Sequence, residues 1–224
     1  MSKHLNVELD KIKKEILSLA AFVKNVVNES IDALRNKNKE KAMEVINSDA
    51  EIDQREVELE EEVLKVLALH QPVAIDLRYL IGVLKMNNGL ERIGDLAVNI
   101  AERALFIIRE DKSNSVPPPF DYLTMAAKTC AMLDAVVEAM FALDSLAARQ
   151  VIKKDQEIDN MNRDMYEKVF TKIQESPQNV AVFMNYLSAT RHLERIADYC
   201  TNIAEDVIYM VEGQIVRHGP ELYE

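Results

Sequence analysis

The chain has 224 residues, 48% of them hydrophobic, with five glycines, six prolines and no tryptophan. Its net charge of −11 argues against a nucleic-acid binder, which needs a basic face for the phosphate backbone. No apolar run is long enough to span a membrane, and Met1-Ser2-Lys3-His4-Leu5 lacks the apolar segment of a secretion signal, so a soluble, cytoplasmic protein without membrane insertion is expected.

Alanine, leucine, isoleucine, glutamate and lysine dominate, a mix that favours helix. Apolar residues from Leu5 to Leu34 recur at helical spacing and predict one amphipathic helix over 5–35. Asn36-Lys37-Asn38 interrupts it, with Asn38 placed to cap the next helix. That second helix is expected from Lys39 to Leu69. Pro72 then opens a third, from Val73 to Arg109, because proline is tolerated in a first turn and rarely later. Short connections make the three antiparallel neighbours.

Residues 111–121 carry three successive prolines and read as a stiff linker. Beyond it the plan repeats. Helices are expected over 122–143, from Asp144-Ser145 to Gln174, and over 179–211, ended by Gly213. The tail with His218-Gly219-Pro220 is expected to be loose. The fold class is therefore all-α: six long helices in two tandem up-down-up three-helix bundles, 1–110 and 122–224, joined by the linker. Cys130 and Cys200 sit in apolar helical contexts and are expected as free thiols. Met125, Met132 and Met140 are expected to fill gaps in the core.

The halves share more than apolar spacing. Leu90-Glu91-Arg92-Ile93-Gly94-Asp95 returns as Leu193-Glu194-Arg195-Ile196-Ala197-Asp198. Residues 90–108 and 193–211 align without gaps at an offset of 103, with nine of nineteen identical, Asn99/Asn202 and Glu102/Glu205 included. The middle helices align at an offset of 106, Asp49-Ala50-Glu51-Ile52-Asp53 against Asp155-Gln156-Glu157-Ile158-Asp159. Four acidic pairs result, each spaced i, i+4 on one helix face: Asp49/Asp53, Glu91/Asp95, Asp155/Asp159 and Glu194/Asp198.

The pairs also match in height. Counting from residue 71, Asp49 and Asp53 lie 22 and 18 residues before the hairpin, and Glu91 and Asp95 lie 20 and 24 after it. Counting from 176, the values are 21 and 17 before, then 18 and 22 after. At about 1.5 Å rise per residue, each half sets two carboxylate pairs at one level on neighbouring helices. The acids also interrupt apolar seams, as in Leu77, Leu84, Glu91, Val98, Leu105, where unpaired charge is costly. Three arrangements account for them: a solvated acidic face, ion pairing with Arg92 and Arg195, or a cation site extended by Asn99, Glu102, Asn202 and Glu205. Oxygen-only ligands suit hard ions such as Fe³⁺, Mg²⁺, Mn²⁺ or Ca²⁺, with zinc left open.

The doubled Leu-Glu-Arg-Ile-x-Asp signature, the acidic pairs and the two three-helix repeats resemble the PhoU family of phosphate-specific transport accessory proteins over essentially the whole chain. The resemblance implies a cytoplasmic, homodimeric regulator of phosphate uptake and phosphate-starvation signalling. Its implied partners are the ATPase subunit of the phosphate ABC transporter and the membrane sensor histidine kinase. It also implies multinuclear metal clusters, iron in particular, and so assigns Asp49, Asp53, Glu91 and Asp95 to one cluster and Asp155, Asp159, Glu194 and Asp198 to the other. One departure stands out: Glu56 and Glu60 extend the first stripe, but their counterparts are Asn162 and Tyr166, so the second site is expected to bind metal more weakly.

An enzyme is not expected. None of His4, His70, His192 and His218 has the Glu-x-x-His spacing of di-iron bundles, and Gly-rich phosphate loops and Cys/His zinc clusters are missing from the sequence. A carboxylate-bridged metalloenzyme and a metal-free helical adaptor are the alternatives.

Overall fold

The computed structural model describes residues 3–216; His218-Gly219-Pro220 lie outside them. The described residues form seven α-helices and one 3₁₀ turn, with no strand among them: α1 (Lys3–Asn36), α2 (Lys39–Asn47), α3 (Asp49–His70), α4 (Ala74–Glu110), α5 (Tyr122–Ala142), α6 (Ser145–Glu175), the turn Pro177–Asn179, and α7 (Val180–Glu212). The all-helical architecture follows the apolar periodicity, and the helix ends follow the capping chemistry. Asn38 accepts the Lys41 N–H at 2.9 Å, Asp144 accepts from Leu146 and Ala147, and Gly213 ends α7 at φ 72°.

Two local expectations are corrected. The second helix is not continuous: it breaks at Ser48 into α2 and α3. The Ser48 hydroxyl donates to the Val45 carbonyl at 2.7 Å, and its N–H is shared between the Glu44 and Val45 carbonyls. Such back-bonding competes with the helical ladder and tightens the last turn. Pro72 does not open α4 either. Gln71, pushed out of the right-handed helical region as the residue before proline, ends α3 in the left-handed region at φ 45°; Val73 is extended, and α4 starts at Ala74. Likewise Pro177 opens a separate 3₁₀ turn, and α7 starts at Val180.

The core runs through both halves. Within the first, α1, α3 and α4 pack together; within the second, α5, α6 and α7 do so. The halves join mainly along α4 and α7. A Cβ added at Gly82 would lie 2.1 Å from Met210 Sδ, and one at Gly89 would lie 3.1 Å from Ile203 Cγ1. Contacts 82–210 and 89–203 run in opposite senses, so the two helices are antiparallel. Met125, Met132 and Met140 are buried. Cys130 and Cys200 are free thiols, and burial raises the pKa of both.

Candidate metal centre

Two acidic clusters lie on equivalent helix pairs. Asp49 and Asp53 project from the first two turns of α3 toward Asp95 of α4, and one carboxylate oxygen from each lies within 4.8 Å of the others. Asp155 and Asp159 of α6 meet Asp198 of α7 in the same way. Helix geometry explains the convergence: residues four apart share a face, and each helix pair crosses at the level of its acids. In the first half Gly94 allows a close approach. A Cβ there would stand 2.6 Å from Ile52 Cδ1, and Ile52 and Gly94 each immediately precede an acid of the cluster. In the second half Ala197 takes the place of Gly94, while Ile158 keeps the isoleucine.

The four pairs are thus not equivalent in reach. The aspartates form the two close trios, while Glu91 and Glu194 flank them. Both glutamates have raised pKa values, first through burial. Glu91 is then raised by Asp95 and Asp53, and Glu194 by Asp198 and Asp159. Burial likewise raises Asp49, reinforced by Asp53, Asp95 and Glu102. It pushes Asp155 up to about 7, reinforced by Asp159, Asp198 and Glu194. Asp198 is raised by burial and Asp159. Glu56 joins the first cluster: burial, Glu60 and Asp53 raise it.

The outer residues divide. Asn99 donates its amide to the Asp95 carbonyl at 2.8 Å, so it is tied to its own helix backbone. Glu102 acts on Asp49 across the helix pair. Asn202 and Glu205 line a cleft between α4 and α7 with Lys85 and Asp206. His192 stands apart from the trios. Its Nε2 is 3.5 Å from Ser188 Oγ, and burial, with Arg103, Arg195 and Arg191, lowers its pKa to about 4.

Arginine offsets part of the charge in the first cluster. Arg92 Nε is 3.3 Å from Glu91 Oε2, and its Nη1 is 3.3 Å from Asp95 Oδ2. In the second cluster Arg195 acts on Glu194 and Asp198 through space. Asp155 Oδ1 is nonetheless buried without a hydrogen-bond partner. A buried carboxylate oxygen lacking a donor is costly. Such an oxygen beside the carboxylates of Asp159 and Asp198 forms part of a donor set that fits a hard cation. Sequence reasoning ranked the four pairs alike and missed the separation of aspartate from glutamate; the shorter aspartate side chain was the signal available. It also missed the Ser48 break that places Asp49 in the first turn of α3.

The PhoU domain model matches residues 16–104 and 122–207, on either side of the 111–121 loop. The chain is 36% identical to the phosphate-specific transport system accessory protein PhoU homolog of Aquifex aeolicus, over 94% of each chain. It is 30% identical to the PhoU accessory protein of Escherichia coli, over 99% of this chain and 93% of that one. Among solved structures it resembles PhoU from Pseudomonas aeruginosa, with a TM-score of 0.88 and 32% identity over 93% of this chain and 99% of that one. It also resembles the phosphate transport system regulatory protein PhoU from Streptococcus pneumoniae, with a TM-score of 0.87 and 28% identity over 95% and 99%.

Proposed function

The chain belongs to the PhoU family, and on that premise we propose that it is a non-enzymatic regulator restraining phosphate uptake and phosphate-starvation signalling from the cytoplasm. Its relatives are named as accessory and regulatory proteins of phosphate transport, which supports work alongside the transport machinery. No described helix is long and apolar enough to cross a membrane. In this reading the chain acts as a homodimer and meets the ATPase subunit of the phosphate ABC transporter and the sensor histidine kinase by docking.

The reading extends to the acidic clusters, which hold metal ions, iron in particular. The observation that carries this part is the repetition: the same three aspartates converge on equivalent helix pairs in both halves. Asp49, Asp53 and Asp95 hold one site, with Glu91 and Glu102 beside it. Asp155, Asp159 and Asp198 hold the other, with Glu194. A bound cation supplies positive charge between carboxylates that otherwise repel, and so fastens α3 to α4 and α6 to α7.

The regulatory part is tested by pull-down of the purified chain with the transporter ATPase subunit and the cytoplasmic portion of the kinase, beside a phosphate-starvation reporter in a deletion strain. Capture of either partner and a reporter active in abundant phosphate are expected. Capture of neither, with a silent reporter, contradicts the reading.

A further inference from the structure

A groove of about 560 Å³ runs between α2 and the C-terminal part of α4. Ile46, Leu105 and Phe106 form its apolar floor, and Lys39, Arg103 and Arg109 rim it. In a chain of net charge −11, three cations around one apolar floor form a local reversal of sign. Glu102 lies at the edge. Arg103 and Arg109 meet the carboxylates of their own sequence neighbours, at 3.2 Å to Glu102 and 3.0 Å to Glu110. Such partly exposed contacts along one helix hold little energy, so both guanidinium groups can be recruited by a stronger acidic partner. Arg109 also sits over the Phe106 ring at 4.7 Å, which extends the apolar floor under a cation.

The repeat supplies a control within the molecule. Through the 103-residue offset, Arg103 and Arg109 correspond to Asp206 and Glu212, and through the 106-residue offset Lys39 corresponds to Ser145. In the second half those acids are engaged across helices: Arg149 of α6 holds Glu212 of α7 at 2.9 Å, and Lys85 of α4 holds Asp206 at 3.2 Å. The positions equivalent to the Arg149–Glu212 bridge are Met43 and Arg109, a pair that cannot form an ion pair. The acids of the second half are therefore held by cations of neighbouring helices, where the first half leaves a cationic groove.

We propose that the α2–α4 groove docks an acidic amphipathic helix of a partner protein, with apolar side chains on Ile46, Leu105 and Phe106 and carboxylates on Lys39, Arg103 and Arg109. Helix-in-groove recognition uses apolar anchors at i, i+3, i+4 and i+7, and complementary flanking charge sets orientation and excludes basic competitors. The inference rests on the reading of the chain as a docking regulator.

The test uses the full chain and a fluorescent helical probe with leucines at i, i+3, i+4 and i+7 and glutamates on both flanks, beside a lysine-flanked analogue. Fluorescence anisotropy should show binding of the acidic probe, no binding of the lysine analogue, and at least a tenfold weaker affinity for the double variant R103E and R109E. Circular dichroism checks that this variant is folded, and the single variant K39E gives the same direction independently. Failure of the acidic probe to bind, equal binding of both probes, or unchanged affinity in the variants would overturn the inference. So would binding of the wild type to phosphatidylglycerol vesicles in place of the peptide, since it would assign the groove to a lipid surface. Capture of the transporter ATPase subunit without probe binding removes the groove and keeps the regulatory reading; the converse keeps the groove and removes that reading.

Discussion

Asp155 shows how a single residue reports on its cluster. Burial and three neighbouring carboxylates raise its pKa from 3.8 to about 7. Between those values the unfolded chain has lost the proton that the folded chain keeps, so raising the pH removes stability. The contribution is absent below the unfolded value, grows more unfavourable as pH rises from there, and is complete above about pH 7. Asp155→Asn should therefore flatten the loss, which has a slope of at most about 1.4 kcal/mol per pH unit. Denaturation midpoints of both proteins in chelator at pH 5 and pH 8 measure it. Asp111 runs the other way. Although burial opposes its ionisation, the Lys37 ammonium and the Val116 and Ser115 N–H groups hold its pKa down to about 2. Lys37 Nζ lies 2.7 Å from its Oδ2. Its stabilisation is present above the unfolded value of 3.8 and is lost as pH falls toward 2. Asp111→Ala takes the carboxylate from the half-buried Lys37 and from the Val116 and Ser115 N–H groups, and should cost about 1–3 kcal/mol at pH 7, read as a drop in unfolding free energy that shrinks in acid.

The helices are where sequence and structure compare most usefully. Polar caps and breakers were legible: Asn38, Asp144 and Gly213 act locally, through bonds to residues within four positions, and each ends or starts a helix where its chemistry says. Ser48 was not legible, because a serine inside an apolar periodicity is ordinarily tolerated and its hydroxyl shows its bond to Val45 only in three dimensions. Height along the bundle could also be read, since helix rise is fixed. Which acids converge could not, because side-chain reach and the crossing of α3 on α4 decide that. Gly94 belongs to this scale. Its missing Cβ lets α4 approach Ile52, buried at 1% exposure, beside Asp53 and Asp95. Gly94→Ala should overpack the crossing and cost about 1–2 kcal/mol, measured by denaturant unfolding. It should weaken cation binding at the first cluster more than at the second, which titration calorimetry of each site separates.

At the scale of the molecule, the repeat leaves the joining of its halves open. The α4–α7 packing depends on the small residues Gly82 and Gly89 against Met210 and Ile203, contacts between residues more than a hundred positions apart that no local periodicity encodes. The two clusters lie on either side of that seam. The expectation of a weaker second site came from counting acids, with Asn162 and Tyr166 in place of Glu56 and Glu60. The structure adds an opposing effect: Arg92 stands within 3.3 Å of Glu91 and Asp95 in the first cluster, and an entering cation must displace it. Arg92→Gln should tighten cation binding at the first cluster by about threefold to tenfold, the scale of an ion pair of about 1 kcal/mol, while leaving the second unchanged; calorimetric titration of both sites decides.

The claim that both trios hold metal is tested most directly by elemental analysis of the purified full chain beside two triple variants, Asp49, Asp53 and Asp95 to asparagine, and Asp155, Asp159 and Asp198 to asparagine. Asparagine keeps shape and removes charge, so both variants should fold. Each is expected to lose the metal of its own half and keep that of the other. Metal content unchanged from wild type in both variants would contradict the account.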